Sequence, residues 1–270
     1  MRKAIILSIL GCFMPLGISA IDNLRVPDLR TLSIGGGGVT ETSLYNPSLL
    51  GFQTQSKLYV NYYNRYSVSE LATVSGGFYF NNDLIPTGFE ITSFGYDEYR
   101  ESLFRLSLGK QLTKRIALGI AIQYCILQSE LFEESTGRIS SDIGLTFKPA
   151  ENLVTGISFL HMPSIKVGDM NIDNEHIASY SIQVGFNWKV TNTVLITGSF
   201  ENCKEENISG SFGMEYLPFD DFNIRAGVRS SPLRPSFGIG YNIAGIAIDA
   251  GMIYHPVLGV SMGVGLSFSF

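Results

Sequence analysis

Residues 259–270 read GVSMGVGLSFSF: Val260, Met262, Val264, Leu266, Phe268 and Phe270 alternate with Gly259, Ser261, Gly263, Gly265, Ser267 and Ser269. Successive side chains of an extended chain point to opposite faces, so this strand gathers its bulky apolar groups on one face and only glycine and serine on the other. A soluble barrel turns its large residues inward and its charges outward. Neither face of this strand carries a charge, and its bulky face suits lipid. The fold depends on how far the same alternation extends through the chain.

It recurs from about residue 57 onward. In 116–127, Ile116, Leu118, Ile120, Ile122, Tyr124 and Ile126 oppose Ala117, Gly119, Ala121, Gln123 and Cys125; in 179–190, Tyr180, Ile182, Val184, Phe186, Trp188 and Val190 oppose Ser179, Ser181, Gln183, Gly185, Asn187 and Lys189. The pattern predicts fourteen strands near 57–66, 70–80, 84–94, 102–112, 116–128, 138–148, 153–162, 178–190, 193–202, 208–217, 222–230, 236–244, 246–254 and 259–270. Roughly 9–12 residues is the length a tilted strand needs to cross a bilayer, and no stretch after residue 20 has the run of about 20 apolar residues a spanning helix needs. Segments 57–66 and 84–94 are the weakest, the second because Pro86 lacks a ladder donor; without them the count is twelve.

The expectation is an all-β transmembrane antiparallel barrel with an N-terminal plug segment. Tight connections at Asn81-Asn82-Asp83, Pro149–Asn152, Thr191-Asn192 and Pro218–Asp221 take turns with mostly longer polar ones at 95–101, 129–137 and 163–177. Short periplasmic turns, longer outer loops and an even strand count put both termini in the periplasm of a bacterial outer membrane. Tyr124, Tyr180, Phe200 and Tyr254 then fall near one rim and Phe147, Trp188, Tyr216 and Phe270 near the other, as two aromatic girdles. A soluble β-sandwich would have to expose the Gly/Ser/Thr face as its solvent surface.

Composition agrees. Charged residues are 16% of 270, against about 25% in soluble domains, and there are 29 glycines. A net charge of -5 without basic runs excludes nucleic acid as a partner. Residues 1–20 read as a signal peptide, with Arg2 and Lys3 before an apolar run and small residues leading to Ala20. The rival reading is a lipoprotein box at Ile9-Leu10-Gly11-Cys12. Beyond Cys12 only Cys125 and Cys203 remain, too few for a disulfide framework.

Residues 21–56 show no sustained alternation and contain Gly35, Gly36, Gly37 and Gly38, a run that can take positive φ. No Lys-Ser/Thr follows them, so a phosphate loop is excluded. Residues 31–52, TLSIGGGGVTETSLYNPSLLGF, resemble the N-terminal signature of the FadL-type transporters of hydrophobic compounds and of the related PorV/PorQ proteins, in which a Gly-rich run precedes an Asn-Pro-Ala motif; here the motif is Asn46-Pro47-Ser48. The resemblance implies a 14-stranded outer-membrane barrel, plugged by 21–56, that passes small hydrophobic compounds. Its PorV/PorQ branch implies instead an accessory of type IX secretion that holds secreted proteins at the surface. The closing Phe268 and Phe270 resemble the signal by which outer-membrane barrels are read by the barrel assembly machinery.

Enzymatic chemistry is not expected. His161 shares the lipid-side parity of Ile157 and Phe159, His176 and His255 fall in loops, and none has a serine two positions away on its own face. Asp169, Asn171, Asp173 and Glu175 are spaced like the start of a calcium loop, but Asn174 stands where glycine is needed and Tyr180 where glutamate is. No cofactor or metal is expected. The inward parity of Arg105, Asp142, Glu215, Arg225, Arg229 and Asp249 makes them lumen-lining candidates; hairpin register sets Glu215 opposite Arg225 and Ser211 opposite Arg229. They either pair to fill the lumen or line a permeation path. Gly119→Ser, on the lumen face, is expected to be mild.

Overall fold

The computed structural model describes residues 23–130, 135–168, 178–204 and 208–270. The signal peptide with Cys12, the calcium-like stretch Asp169–Glu175 and His176 lie outside the described residues. The strands are β1 (Lys57–Asn64), β2 (Ala72–Phe80), β3 (Thr87–Gly95), β4 (Tyr99–Gln111), β5 (Ile116–Ser129), β6 (Thr136–Ala150), β7 (Leu153–Leu160) and β8 (Ser164–Val167). They continue with β9 (Ser181–Lys189), β10 (Val194–Cys203), β11 (Ser209–Phe219), β12 (Phe222–Arg229), β13 (Arg234–Ile243), β14 (Ile246–His255) and β15 (Gly259–Ser269).

Apart from β8, successive strands pair antiparallel, β7 with β9, and β1 pairs with β15 from Lys57↔Ser269 to Asn64↔Met262, which closes the wall. The result is a 14-stranded barrel with one extra strand, β8, which extends β7 along β6. Every predicted segment is a strand, the two weak ones included. Pro86 lies just before β3, where its carbonyl accepts the Gly109 N–H at 3.0 Å, so the ladder loses no donor.

One prediction fails, at the end of β7. Between the pairs Ile143↔Phe159 and Ser140↔Ser164, the β7–β8 side carries two more residues than β6, an enlarged β-bulge. Met162 N–H still reaches Ser141 O at 2.7 Å, and Ser141 N–H reaches Pro163 O at 3.1 Å. His161 takes φ 56° within the bulge, which breaks the alternation. Its side chain is buried on the lumen side, not on the lipid face that simple parity assigns it.

The barrel is inside-out relative to a soluble protein. Along β5, Ile120 and Ile122 are 48% and 59% exposed, whereas Ala117, Ala121, Gln123 and Cys125 on the opposite face are at most 1% exposed. The outward apolar band is what lipid requires, and the buried interior is largely polar. The rim aromatics Phe147, Trp188, Tyr216, Tyr254 and Phe270 all face outward. Strand β1 starts and β15 ends at one end of the barrel, here the turn end, where two-residue connections follow β6, β11 and β13. Val167, where β8 ends, and Ser181, where β9 begins, are at the opposite, loop end.

Residues 23–56 run inside this wall. Leu24 packs at the loop end among Phe94, Leu103, Cys125 and Leu127, and Asn23 donates to Glu101 at 2.9 Å. The segment leaves at the turn end, where Ser56 exchanges both backbone hydrogen bonds with Phe270. It crosses the lumen from end to end. Helix α1 (Leu29–Ser33), capped by the Asp28 carboxylate on Thr31 N–H, packs on β12–β15, and a 3-10 helix (Pro47–Phe52) packs on β4–β6.

Candidate functional site

The plug sits on glycine. Gly109, Gly119 and Gly144 of β4–β6 lie under Asn46–Gly51; Gly156 and Gly185 lie under Val39; Gly213 and Gly227 meet Ile34 and Gly35; Gly238 and Gly251 meet Ser33; Gly263 meets Leu29. A Cβ on Gly109 would stand 2.7 Å from Pro47 O, and one on Gly156 would stand 2.9 Å from Val39 O, closer than real Cβ atoms come. The small inward face read from the sequence is thus a belt that lets plug backbone approach wall backbone. Within the plug, Gly35, Gly36 and Gly38 take φ of 93°, 72° and 66°, a left-handed path that other residues rarely follow. Gly35 N–H donates to Ser236 Oγ at 3.1 Å, and Gly37 leaves room for Ser199 and Ser211.

Asn46-Pro47-Ser48 is a fully buried node. Asn46 Oδ1 accepts from Ser48 N–H (3.2 Å) and Ser48 Oγ (2.6 Å), while Nδ2 donates to Val39 O (2.9 Å) and Thr146 Oγ1 (3.1 Å). Ser48 Oγ also lies 2.7 Å from Thr146 Oγ1 on β6. Pro47 opens the 3-10 helix at the one position where a missing N–H costs nothing. Ser48 therefore adds a second hydrogen bond from this node to Thr146 of the wall.

The predicted charges all face inward, and they form two clusters plus one pair. In the first cluster, Arg105 bridges Asp142 and Glu90 (3.1 Å to Glu90) and donates to Gln123 Oε1 at 3.0 Å and to plug carbonyl Ser43 O at 3.2 Å. Arg105, Asp142 and Glu90 are at most 1% exposed, so each needs these partners to be buried as an ion. In the second, Arg225 joins Glu215 and Asp249. The register is the expected Glu215↔Arg225. Arg30 of the plug grips Glu215 with Nε (2.9 Å) and Nη2 (3.0 Å), and it reaches Glu41 at 3.1 Å. Asn187 Nδ2 completes the chain to Glu41 at 2.6 Å. Arg30 thus shares its charge between two carboxylates, one of the plug and one of the wall. Arg229, opposite Ser211 as expected, pairs with Glu201.

Sequence reading missed Arg30, Glu41, Glu90, Glu201 and the buried role of His161. Glu90 and Glu201 were accessible by parity, since Phe89, Ile91 and Phe200 beside them face outward. Arg30 and Glu41 lie where no periodicity exists. His161 Nδ1 is 2.8 Å from both Ser140 Oγ and Gln123 Nε2. This is not a hydrolytic triad. The Asp142 carboxylate accepts from the His161 backbone N–H rather than from its ring, and Ser140 is buried away from any substrate. Cys125 and Cys203 form no disulfide among the described residues.

Plug and wall do not close completely everywhere. Against β1–β3 a narrow cavity remains, lined by Val26, Asp28, Thr42 and Leu44 of the plug and by Lys57, Tyr59, Asn61, Ser75, Tyr79 and Thr92 of the wall. It is the size of ordered water rather than of a solute.

No protein-family model and no curated protein matches this sequence. Solved structures do. The TodX deltaS2S3 mutant monoaromatic hydrocarbon channel superposes with a TM-score of 0.63 at 11% identity, over 90% of this chain and 98% of that one. The Pseudomonas putida toluene transporter TodX gives 0.59 at 12% identity over 95% and 98%, and a Pseudomonas aeruginosa FadL homologue gives 0.57 at 12% over 91% and 98%. At such identities the likeness is one of fold: a closed antiparallel β-barrel like those of these channels.

Proposed function

We propose that this protein is an outer-membrane channel for small hydrophobic compounds, gated by residues 23–56, with its turn end in the periplasm. The observation that carries the reading is how the plug is held. It touches the wall through hydrogen bonds, ion pairs, backbone laid on glycine and two small apolar clusters around Leu24 and Tyr63, and among the described residues its one covalent tie to the wall is at Ser56–Lys57. Such contacts can be exchanged for water without breaking the strand ladder, so a plug of this kind can move inside an intact barrel. Fold likeness to hydrocarbon channels supports the class of permeant.

The test is deletion of 23–52 with the signal peptide retained. The truncated barrel should fold, raise conductance in planar bilayers and admit a monoaromatic hydrocarbon into proteoliposomes. A barrel that folds and inserts but stays electrically silent, with no hydrocarbon flux, would remove the transport reading. A surface accessory in the manner of PorV/PorQ, which needs loops and no pore, would then explain the fold better.

A further inference from the structure

The inner faces of β1–β3 are stacked in four registered rows. From the turn end these are Lys57–Tyr79–Gly88, Tyr59–Gly77–Glu90, Asn61–Ser75–Thr92 and Tyr63–Thr73–Phe94. The third row is small and polar, and the cavity lies against it. The rows on either side are aromatic. Toward the loop end, the Arg65 guanidinium lies 5.9 Å from the Tyr63 ring centre and 5.7 Å from that of Phe94. Toward the turn end, the Tyr59 and Tyr79 rings stand 5.3 Å apart at 42°, and both hydroxyls donate to Glu90 Oε1, at 2.7 and 2.8 Å. Gly77 and Gly88 carry no side chain, and a Cβ at either would run into the Tyr59 or Tyr79 ring, so the rings lie flat against the wall strands. Arg105 from β4 fixes Glu90 in turn.

We propose that this crevice is the transit path and that the Tyr59–Tyr79 pair, latched to Glu90, is its selective constriction. The inference rests on the channel reading and adds its route and solute class. The main packing of α1 is on β13 and β14 and that of the 3-10 helix on β4 and β5; on β1 the Val26–Leu29–Leu32 side of the plug closes on Tyr63, and the third row, on the turn side of Tyr63, faces the cavity. The lining sets the class. Asn61, Ser75, Thr92 and two phenols face Val26 and Leu44 across the gap, which suits a compact ring-sized solute carrying a hydrogen-bonding group. A long acyl chain would leave these polar groups unpaired along its whole length. Lys57 at the exit favours a solute that is neutral or anionic there.

The test uses the full-length protein with Cys125 and Cys203 replaced by alanine, and a single cysteine at Ser75 or, as a control under the plug on the far wall, at Ser199. Tyr79→Ala should speed labelling of the Ser75 cysteine by a small water-soluble methanethiosulfonate by about tenfold or more, the scale of losing one hydrogen bond to a charged acceptor. The Ser199 cysteine should not change. Tyr79→Phe keeps the ring and loses only the latch; it should give a smaller increase and guards against an effect of misfolding. In proteoliposomes Tyr79→Ala should raise phenol flux and leave dodecanoate flux unchanged. If the plug-deleted barrel passes phenol while Tyr79→Ala alters neither Ser75 labelling nor flux, or if Ser199 responds in place of Ser75, the crevice proposal fails and the channel reading stands. If the plug-deleted barrel passes nothing, the channel reading fails, and the proposal falls with it.

Discussion

Replacing Asn46 with alanine should unseat the plug without weakening the barrel. The side chain is fully buried and makes four hydrogen bonds, three within the plug and one to Thr146 of the wall. Alanine removes the cap of the 3-10 helix, a loss of about 0.5–2 kcal/mol. It also strips the side-chain donor from the buried Val39 carbonyl, a further cost of about 1–3 kcal/mol. Ser48 Oγ keeps Thr146 as a partner, so the wall hydroxyl is not orphaned. A net loss of about 2–4 kcal/mol falls on plug docking and should raise the undocked population by about 30- to 700-fold. Single-channel recording in planar bilayers should show frequent openings where wild type is closed, while heat-modifiability on gels, which reports the folded wall, stays at the wild-type temperature. If Asn46→Ala unfolds the wall along with the plug, or seals as tightly as wild type, the node is not the seat inferred here.

The glycine belt makes a sharper claim than sequence parity did. Gly119→Ser, which looks mild on a lumen face, would drive a Cβ into the Pro47–Ser48 backbone, so it should cost about 1–3 kcal/mol of plug seating and open the channel. Its neighbour Ile120→Arg puts a charge in lipid and should cost about 2–4 kcal/mol of the barrel itself, read as lost heat-stable folded protein; equal phenotypes would refute the division of faces. Deleting Phe270 removes the outward stack on Phe268 and Phe78 and the Ser56 ladder bonds, and should lower membrane assembly; normal surface levels would count against an assembly signal. An epitope inserted at Val257, exposed at the loop end, should be reachable on intact cells, and one at Asp220 should not; the reverse pattern would invert the orientation.

The wall was legible because lipid acts on each strand locally. An apolar solvent on one side imposes a two-residue period that survives in every segment, down to the weak 57–66 and 84–94. Where the chain departed from that period, parity misled. Nothing in the alternation of Ile157 and Phe159 announces that β7 stops at Leu160 and that His161 turns inward; Pro163 two residues on is the only mark of the bulge.

The site was half legible, and the missing half has a single cause. Each buried charge of the wall could be found by parity, but the partners that decide whether it is a permeation group or a structural one lie in a segment without any period. Glu215 reads as paired with Arg225 and as available to a permeant; Arg30, 185 residues away, takes both of its carboxylate oxygens. The glycines carry the same lesson in reverse. An unplugged barrel of this width has no need of glycine at Gly109, Gly119, Gly144, Gly213 and Gly227, because water or longer side chains would fill the space. Their place is set by the plug backbone that each would otherwise strike. Most inward glycines of β4–β14 are therefore an imprint of residues 33–51, while Gly263 meets Leu29, and Gly77, Gly88 and Gly240 make room for wall side chains; β1–β2 carry Tyr59, Asn61, Tyr63, Thr73, Ser75 and Tyr79 on that face. On the channel reading proposed above, that polar and aromatic face is the one a solute would meet.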